Sequence, residues 1–216
     1  IIGTQNLLHH APHGCRFLLA SSIVVYGDLP NRFQEHLLCS PTSVYGVTKL
    51  AAEGLVQSYT SMERVNGVSV RACATVSGDS LTHGILKDFL QKAYNDDPLF
   101  PVLGEYPGTC KPYIHIEDLL SAFELLMFKR DKITGPVNVC PNDEISANKM
   151  AELVLKITNK NKEITFLGAK TIWKGDNKLI QASASRMERL GWSRKYETSS
   201  DAISKAVNEY ISSLAN

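Results

Sequence analysis

The chain has 216 residues, 44% hydrophobic and 21% charged, which suits one large packed domain or one and a half small ones. Its 23 Lys and Arg against 22 Asp and Glu leave a formal charge of +1, so there is no electrostatic footprint for nucleic acid or an anionic membrane. No apolar run approaches the ~20 residues that span a bilayer, and an anionic ligand has to be held by a local site.

The chain opens on Ile1 and Ile2 rather than Met, within IIGTQNLLHHA, where Ile2, Leu7 and Leu8 fall near helical spacing. With no signal-peptide pattern, this predicts a helix over 3–11 and a chain entered in the middle of a fold. Arg16-FLLA-Ser21 is apolar on both faces, as a buried strand of a helix-covered parallel sheet is. A loop with Gly27, Asp28, Pro30 and Asn31 leads to a helix from about Ser43 to Met62, with Ser40 or Thr42 as caps behind Pro41. Asn66-Gly67 predicts a turn into a second apolar strand, VSVRACATV. A helix over 84–95 follows, then PVLGEYPGTCKP, Tyr113-Ile-His-Ile and a helix over 119–129 capped by Asp118. A strand PVNVC, a helix over 146–159 capped by Ser146, a strand-like Glu163-ITFLG and helices over 183–190 and 199–214 close the chain. This alternation predicts an α/β fold, the C-terminal part of a doubly wound parallel, Rossmann-like sheet over 1–78. Residues 79–216 are expected to form mainly a smaller α+β lobe, with segments returning to the sheet.

The five cysteines (Cys15, Cys39, Cys73, Cys110, Cys140) are odd in number and scattered, without a C-x-x-C pair. They argue against a disulfide framework and a zinc site, and fit a reducing cytosol; a metal is not expected.

Chemistry is concentrated in Tyr45-Gly-Val-Thr-Lys49. Residues four apart share a helix face, so the Lys49 ammonium can sit beside the Tyr45 phenol and favour its ionised form. A free tyrosine, with a pKa near ~10, is a poor base at neutral pH. The spacing alone is weak, because 8 Tyr and 15 Lys in 216 residues give about 0.6 such pairs by chance. Placement adds weight: SSIVVYGD, from Ser21 to Asp28, lies where the first strand ends, and ligands of open α/β sheets sit outside the carboxyl ends of strands. Ser22 is thereby placed to donate a hydrogen bond to a substrate oxygen.

SSIVVYGD followed by PTSVYGVTKLAAE resembles the extended short-chain dehydrogenase/reductases that act on nucleoside-diphosphate sugars. IIGTQNLL is similar to the helix before the catalytic strand; THGILKDFLQKA, PYIHIEDLLSA and WKGDNKLIQASASRMERLGW are similar to the substrate lobe of archaeal-type UDP-glucose 4-epimerase-like members. The resemblance implies NAD as cofactor, a UDP-hexose as substrate, a cytoplasmic location and a homodimer through helix 3–11 and the helix of Tyr45. Leu50, Leu55 and Val56 are its candidate dimer contacts. Residues 1–78 become the remaining part of an NAD-binding domain.

The resemblance also implies roles. Tyr45 takes the proton of a sugar hydroxyl, Lys49 holds the nicotinamide ribose, Ser22 binds the reacting oxygen, and Ala74 lies at the cofactor. Thr75 stands where the family carries a substrate-contacting Asn, Lys111 faces the diphosphate where bacterial epimerases carry Arg, and His83-Gly84 brings backbone N–H groups to phosphate. Trp173 replaces a basic residue near the nucleotide ribose. His115 and His36 are read as structural or surface residues. In dehydratases and decarboxylases of the family, acidic residues follow the equivalent of Ser22; here Ile23 and Val24 cannot move a proton, which points away from dehydration and toward epimerisation through a keto intermediate or simple oxidoreduction. The Gly-rich cofactor turn is missing from these 216 residues, so the chain alone is expected not to turn over. Two other readings share these residues: an NAD(P)-dependent reductase or dehydrogenase of another small carbonyl or alcohol, and a non-catalytic truncated fragment.

Overall fold

The apolar run around Phe17 forms strand β1 (Cys15–Ser22), which pairs in parallel with β2 (Val65–Ala72) from Cys15 opposite Val65 to Ser22 opposite Ala72. The computed structural model describes residues 1–29, 32–78, 83–129, 131–169 and 178–214. The chain divides into two units: Ile1–Cys73 with Glu117–Cys140 and Ala182–Ser193, and Ala74–Ile116 with Pro141–Gln181 and Arg194–Asn216. In the first, β7 (Gly135–Val139) pairs in parallel with the other side of β2, giving the sheet order β1-β2-β7. This is the parallel α/β architecture that the alternation of elements predicts.

Helices α1 (Ile2–His10) and α2 (Val44–Ser61) pack on each other. Leu8, Val56 and Val65 make a buried cluster with Phe17, Leu19 and Tyr59 against it. Val56, a candidate dimer contact by sequence, is therefore core. The central strand β2 is buried almost throughout, whereas β1 is half-buried with Ala20 exposed. That corrects the expectation of a strand buried on both faces: among the described residues β1 is paired along one edge only.

Five local readings change as well. Asn66-Gly67 lies inside β2; the turn is Met62-Glu63, with Glu63 at a φ of 57°. Gly67 is a close-approach residue, since a Cβ there would overlap Thr60 Oγ1 and Val56 Cγ1 of α2. Ser43, rather than Ser40 or Thr42, caps α2, its Oγ accepting from the Gly46 N–H at 3.1 Å. Asp118 lies in the first turn of α4 (Ile116–Phe128), and the helix near 183–190 is the shorter α6 (Ser185–Arg189). VSVRACATV breaks at Cys73, β2 ending at Ala72 and β3 (Ala74–Val76) starting beyond it.

In the second unit β3 pairs with β6 (Tyr113–His115) and β4 (Leu99–Val102) with β9 (Glu163–Phe166), both in parallel. The short β5 (Cys110–Lys111) runs antiparallel to β8 (Ile145–Ser146). Helices α3 (Ile85–Tyr94), α5 (Ala147–Ile157) and α7 (Ser199–Leu214) supply a core that includes Phe89, Phe100, Met150 and Ile203. Ser146 caps α5 as predicted, accepting from the Lys149 N–H. The last carbonyls of a helix lack partners of their own, and Lys162 supplies them for α3, donating from Nζ to the Lys92 and Asn95 carbonyls at 2.7 Å.

Gly67→Ala places a methyl group where α2 meets β2, and overpacking of this kind costs about 1–3 kcal/mol. Its urea midpoint should fall accordingly; an unchanged midpoint would show that the contact yields freely.

Candidate active site

At the end of β1 the chain enters a 3-10 turn, Ile23–Tyr26, with Ser22 as its cap. Ser22 Oγ accepts from the Val24 N–H at 3.4 Å, so its own O–H stays available as a donor. Helix α2 starts against this turn. A Cβ on Gly46 would lie 2.8 Å from Pro41 Cβ and 3.0 Å from the Val24 carbonyl oxygen, so only glycine lets the first turn of α2 come this near to the turn after Ser22. Tyr45, beside it, is 53% exposed. The Lys49 ammonium sits 5.5 Å from the centroid of the Tyr45 ring, a cation–π distance, and donates to the Ala20 carbonyl at 2.8 Å. The four-residue spacing thus does put phenol and ammonium on one helix face.

One turn further along that face is Glu53, which the sequence reading passed over. Its carboxylate accepts from Ser21 Oγ at 2.5 Å and from Arg71 Nε and Nη2 at 3.0 and 2.7 Å. Arg71 is opposite Ser21 on one side and Asn138 on the other, so Ser21, Arg71 and Asn138 form a polar row across the sheet. Asn138 Oδ1 accepts from Tyr26 O–H at 2.8 Å, and the Arg71 guanidinium lies 4.7 Å from the centroid of the Tyr26 ring. Burial works against the charged form of Arg71, but the Glu53 carboxylate outweighs it and its pKa is raised. One signal could have found this set: Arg71 is a charge inside an apolar strand, and such a charge needs a partner.

The two tyrosines near the strand end are not equivalent. Burial pushes the Tyr26 phenol up to about 12 against the opposing effect of Arg71, so Tyr26 stays protonated and serves as a donor to Asn138. Tyr45 is the solvent-accessible one. Burial also pushes the thiols of Cys39 and Cys110 up, which disfavours the reactive thiolate at both.

Ala74, Thr75, His83 and Lys111 belong to the second unit. Ala74 and Thr75 pair with Tyr113 and Ile114, Lys111 pairs with Ile145, and His83 precedes Gly84, the N-cap of α3. Trp173 lies outside the described residues.

The NAD dependent epimerase/dehydratase family matches residues 1–140. The chain belongs to this family. It is 24% identical over 203 residues to a trifunctional UDP-glucose 4,6-dehydratase, 3,5-epimerase and reductase of Arabidopsis thaliana, a match covering 90% of this chain and 29% of that protein. It is 28% identical over 155 residues to an uncharacterised UDP-glucose epimerase of Bacillus subtilis, covering 69% of this chain and 47% of that one. The chain thus spans less than half the length of either protein. In three dimensions it is similar to the UDP-glucuronic acid 4-epimerase of Bacillus cereus in complex with UDP-glucuronic acid and NAD, with a TM-score of 0.86, 24% identity, and 99% of this chain and 67% of that one covered. Among the described residues no helix is long and apolar enough to cross a membrane.

The second unit of this epimerase/dehydratase chain has a buried polar centre of its own. His115, 1% exposed, faces Glu209 at 3.1 Å, and the Glu209 carboxylate also accepts from the Gly78 N–H at 2.9 Å and pairs with Lys205 at 3.0 Å. Partial burial pushes this carboxyl up, yet the Gly78 N–H, Lys205 and His115 together hold it at about 2. A folded-state value below the ordinary 4.5 means that the stabilisation is complete above about pH 4.5 and is lost as pH falls toward about 2. The difference in unfolding midpoint between the native protein and Glu209→Gln should be full at neutral pH and close over that window; a difference constant down to pH 2 would contradict it.

Proposed function

We propose that the protein carrying this sequence is an NAD-dependent epimerase of a nucleoside-diphosphate sugar, of the UDP-hexose 4-epimerase type, working through a keto intermediate. The observation that supports it most is the grouping at the end of β1: the exposed Tyr45 with the Lys49 ammonium over its ring, and a Ser22 hydroxyl with its proton free to donate.

The residues present fit the nicotinamide–ribose end of NAD. An ammonium has three N–H donors; one is fixed on the Ala20 carbonyl, and the other two can be directed at ribose hydroxyls. When bound, NAD supplies the acceptor and donor of hydride. Ser22 donates to the oxygen at the reacting carbon, and Tyr45 takes the proton of that hydroxyl and returns it. The Lys49 ammonium lies over the phenol ring, 5.5 Å from its centroid, on the side from which the ribose would be held. In this reading Ala74 lines the cofactor, and Thr75, His83 and Lys111 hold the sugar and diphosphate. A homodimer through α1 and α2 is part of it, since Ile2, Leu7 and Val47 on these helices are exposed.

Elimination of water needs an acid or base after Ser22. Ile23, 3% exposed, and Val24 have no ionisable group to give or take a proton, which favours epimerisation over dehydration. Supplied with NAD, the protein carrying this sequence should interconvert UDP-glucose and its 4-epimer. Tyr45→Phe should lower kcat by about 10²–10⁴-fold, the usual weight of general acid–base catalysis. Undiminished turnover in that variant would rule out Tyr45 as the base.

A further inference from the structure

Three consecutive residues at the end of β1 each hold a different part of the site. The Ala20 carbonyl accepts from Lys49 Nζ at 2.8 Å, Ser21 Oγ donates to Glu53 Oε1 at 2.5 Å, and Ser22 caps the 3-10 turn. Lys49 and Glu53 are one turn apart on α2. Two bonds one turn apart fix both the axial position and the rotation of a helix on a strand, where one bond alone leaves rotation free. Glu53 cannot swing away, because Arg71 of the central strand grips its other oxygen at 2.7 Å. All three residues are buried, Ser21 at 6%, Glu53 at 7% and Arg71 at 4% exposure.

We propose that Ser21, Glu53 and Arg71 form a positioning clasp that sets α2 on the end of β1 and so aims Tyr45 and Lys49 at the reacting atoms. The proposal rests on the function given above. A buried ion pair is weak evidence for stability, whereas a displacement of about 1 Å at a catalytic group costs about 10²-fold in rate. The clasp therefore matters more through the geometry of Tyr45 and Lys49 than through the free energy of the fold.

Ser21→Ala is the gentle probe, because it removes one bond and leaves the Glu53–Arg71 pair in place. Two readouts are taken. The first is the rate at which an amine-acylating reagent modifies Lys49, relative to the exposed Lys156 on α5, followed by mass spectrometry; it needs no enzymatic activity. The second is kcat and KM for a UDP-hexose. In Ser21→Ala, Lys49 should be acylated several-fold faster with Lys156 unchanged, and kcat should fall about tenfold with KM nearly constant. Ser21→Thr, which keeps the hydroxyl, should restore both. Native labelling and native kcat in a Ser21→Ala protein whose unfolding midpoint alone has dropped would overturn the clasp and leave an ordinary structural contact. Should Lys49 labelling rise as stated while the native protein turns over no UDP-hexose, the clasp would hold and the proposed function would be the part that failed.

Discussion

Arg71 places a full charge in the central strand of a parallel sheet, 4% exposed, where a lone guanidinium would cost several kcal/mol. Much of the first unit follows from that constraint. A carboxylate has to face it, and Glu53 is the one supplied, so the middle of α2 must lie over β2. Gly67 allows this by having no side chain where the helix crosses the strand. Once Glu53 is fixed, Lys49 and Tyr45 are carried one and two turns back along the same face, to the carboxyl end of β1. The ion pair is buried and the phenol two turns away on the same helix face is exposed.

Much of this was readable beforehand, but unevenly. The alternation of apolar runs and helical segments was enough for the parallel α/β class, and Tyr45, Lys49 and Ser22 were visible from spacing and from their place after an apolar strand. The polar row was not. Ser21, Arg71 and Asn138 each stand in a different strand, inside FLLASS, VSVRACA and PVNVC, and nothing in a linear reading says that they share a register. Arg71 did carry a signal, since an apolar strand seldom holds an unpartnered charge. Asn66-Gly67 misled for a physical reason: the dipeptide favours turns, yet here glycine is needed for close packing and the turn falls on Met62-Glu63, where Glu63 takes a positive φ. Strand β1 reads as fully buried by composition, but burial depends on what pairs with its edge, and composition does not carry that.

The chemistry assigned to the site depends on two contrasts between neighbours. Tyr26 and Tyr45 are both near the end of β1, but burial holds Tyr26 protonated, at about 12, while Tyr45 faces solvent under an ammonium. Ile23 and Val24 follow Ser22 where an eliminating enzyme needs a proton carrier. Relatives of this chain include a 4,6-dehydratase as well as an epimerase, so the shared fold leaves the choice of chemistry open.

The proposed reaction makes one demand that sets it apart from dehydration and from enolisation: the hydrogen at C4 must leave as hydride and return to C4 itself, without exchanging with water. UDP-glucose carrying deuterium at C4, turned over in ordinary water by the protein with NAD, tests this most directly. The account predicts that the 4-epimer keeps its deuterium. Washout of the label into solvent, or a product unchanged at C4, would contradict it.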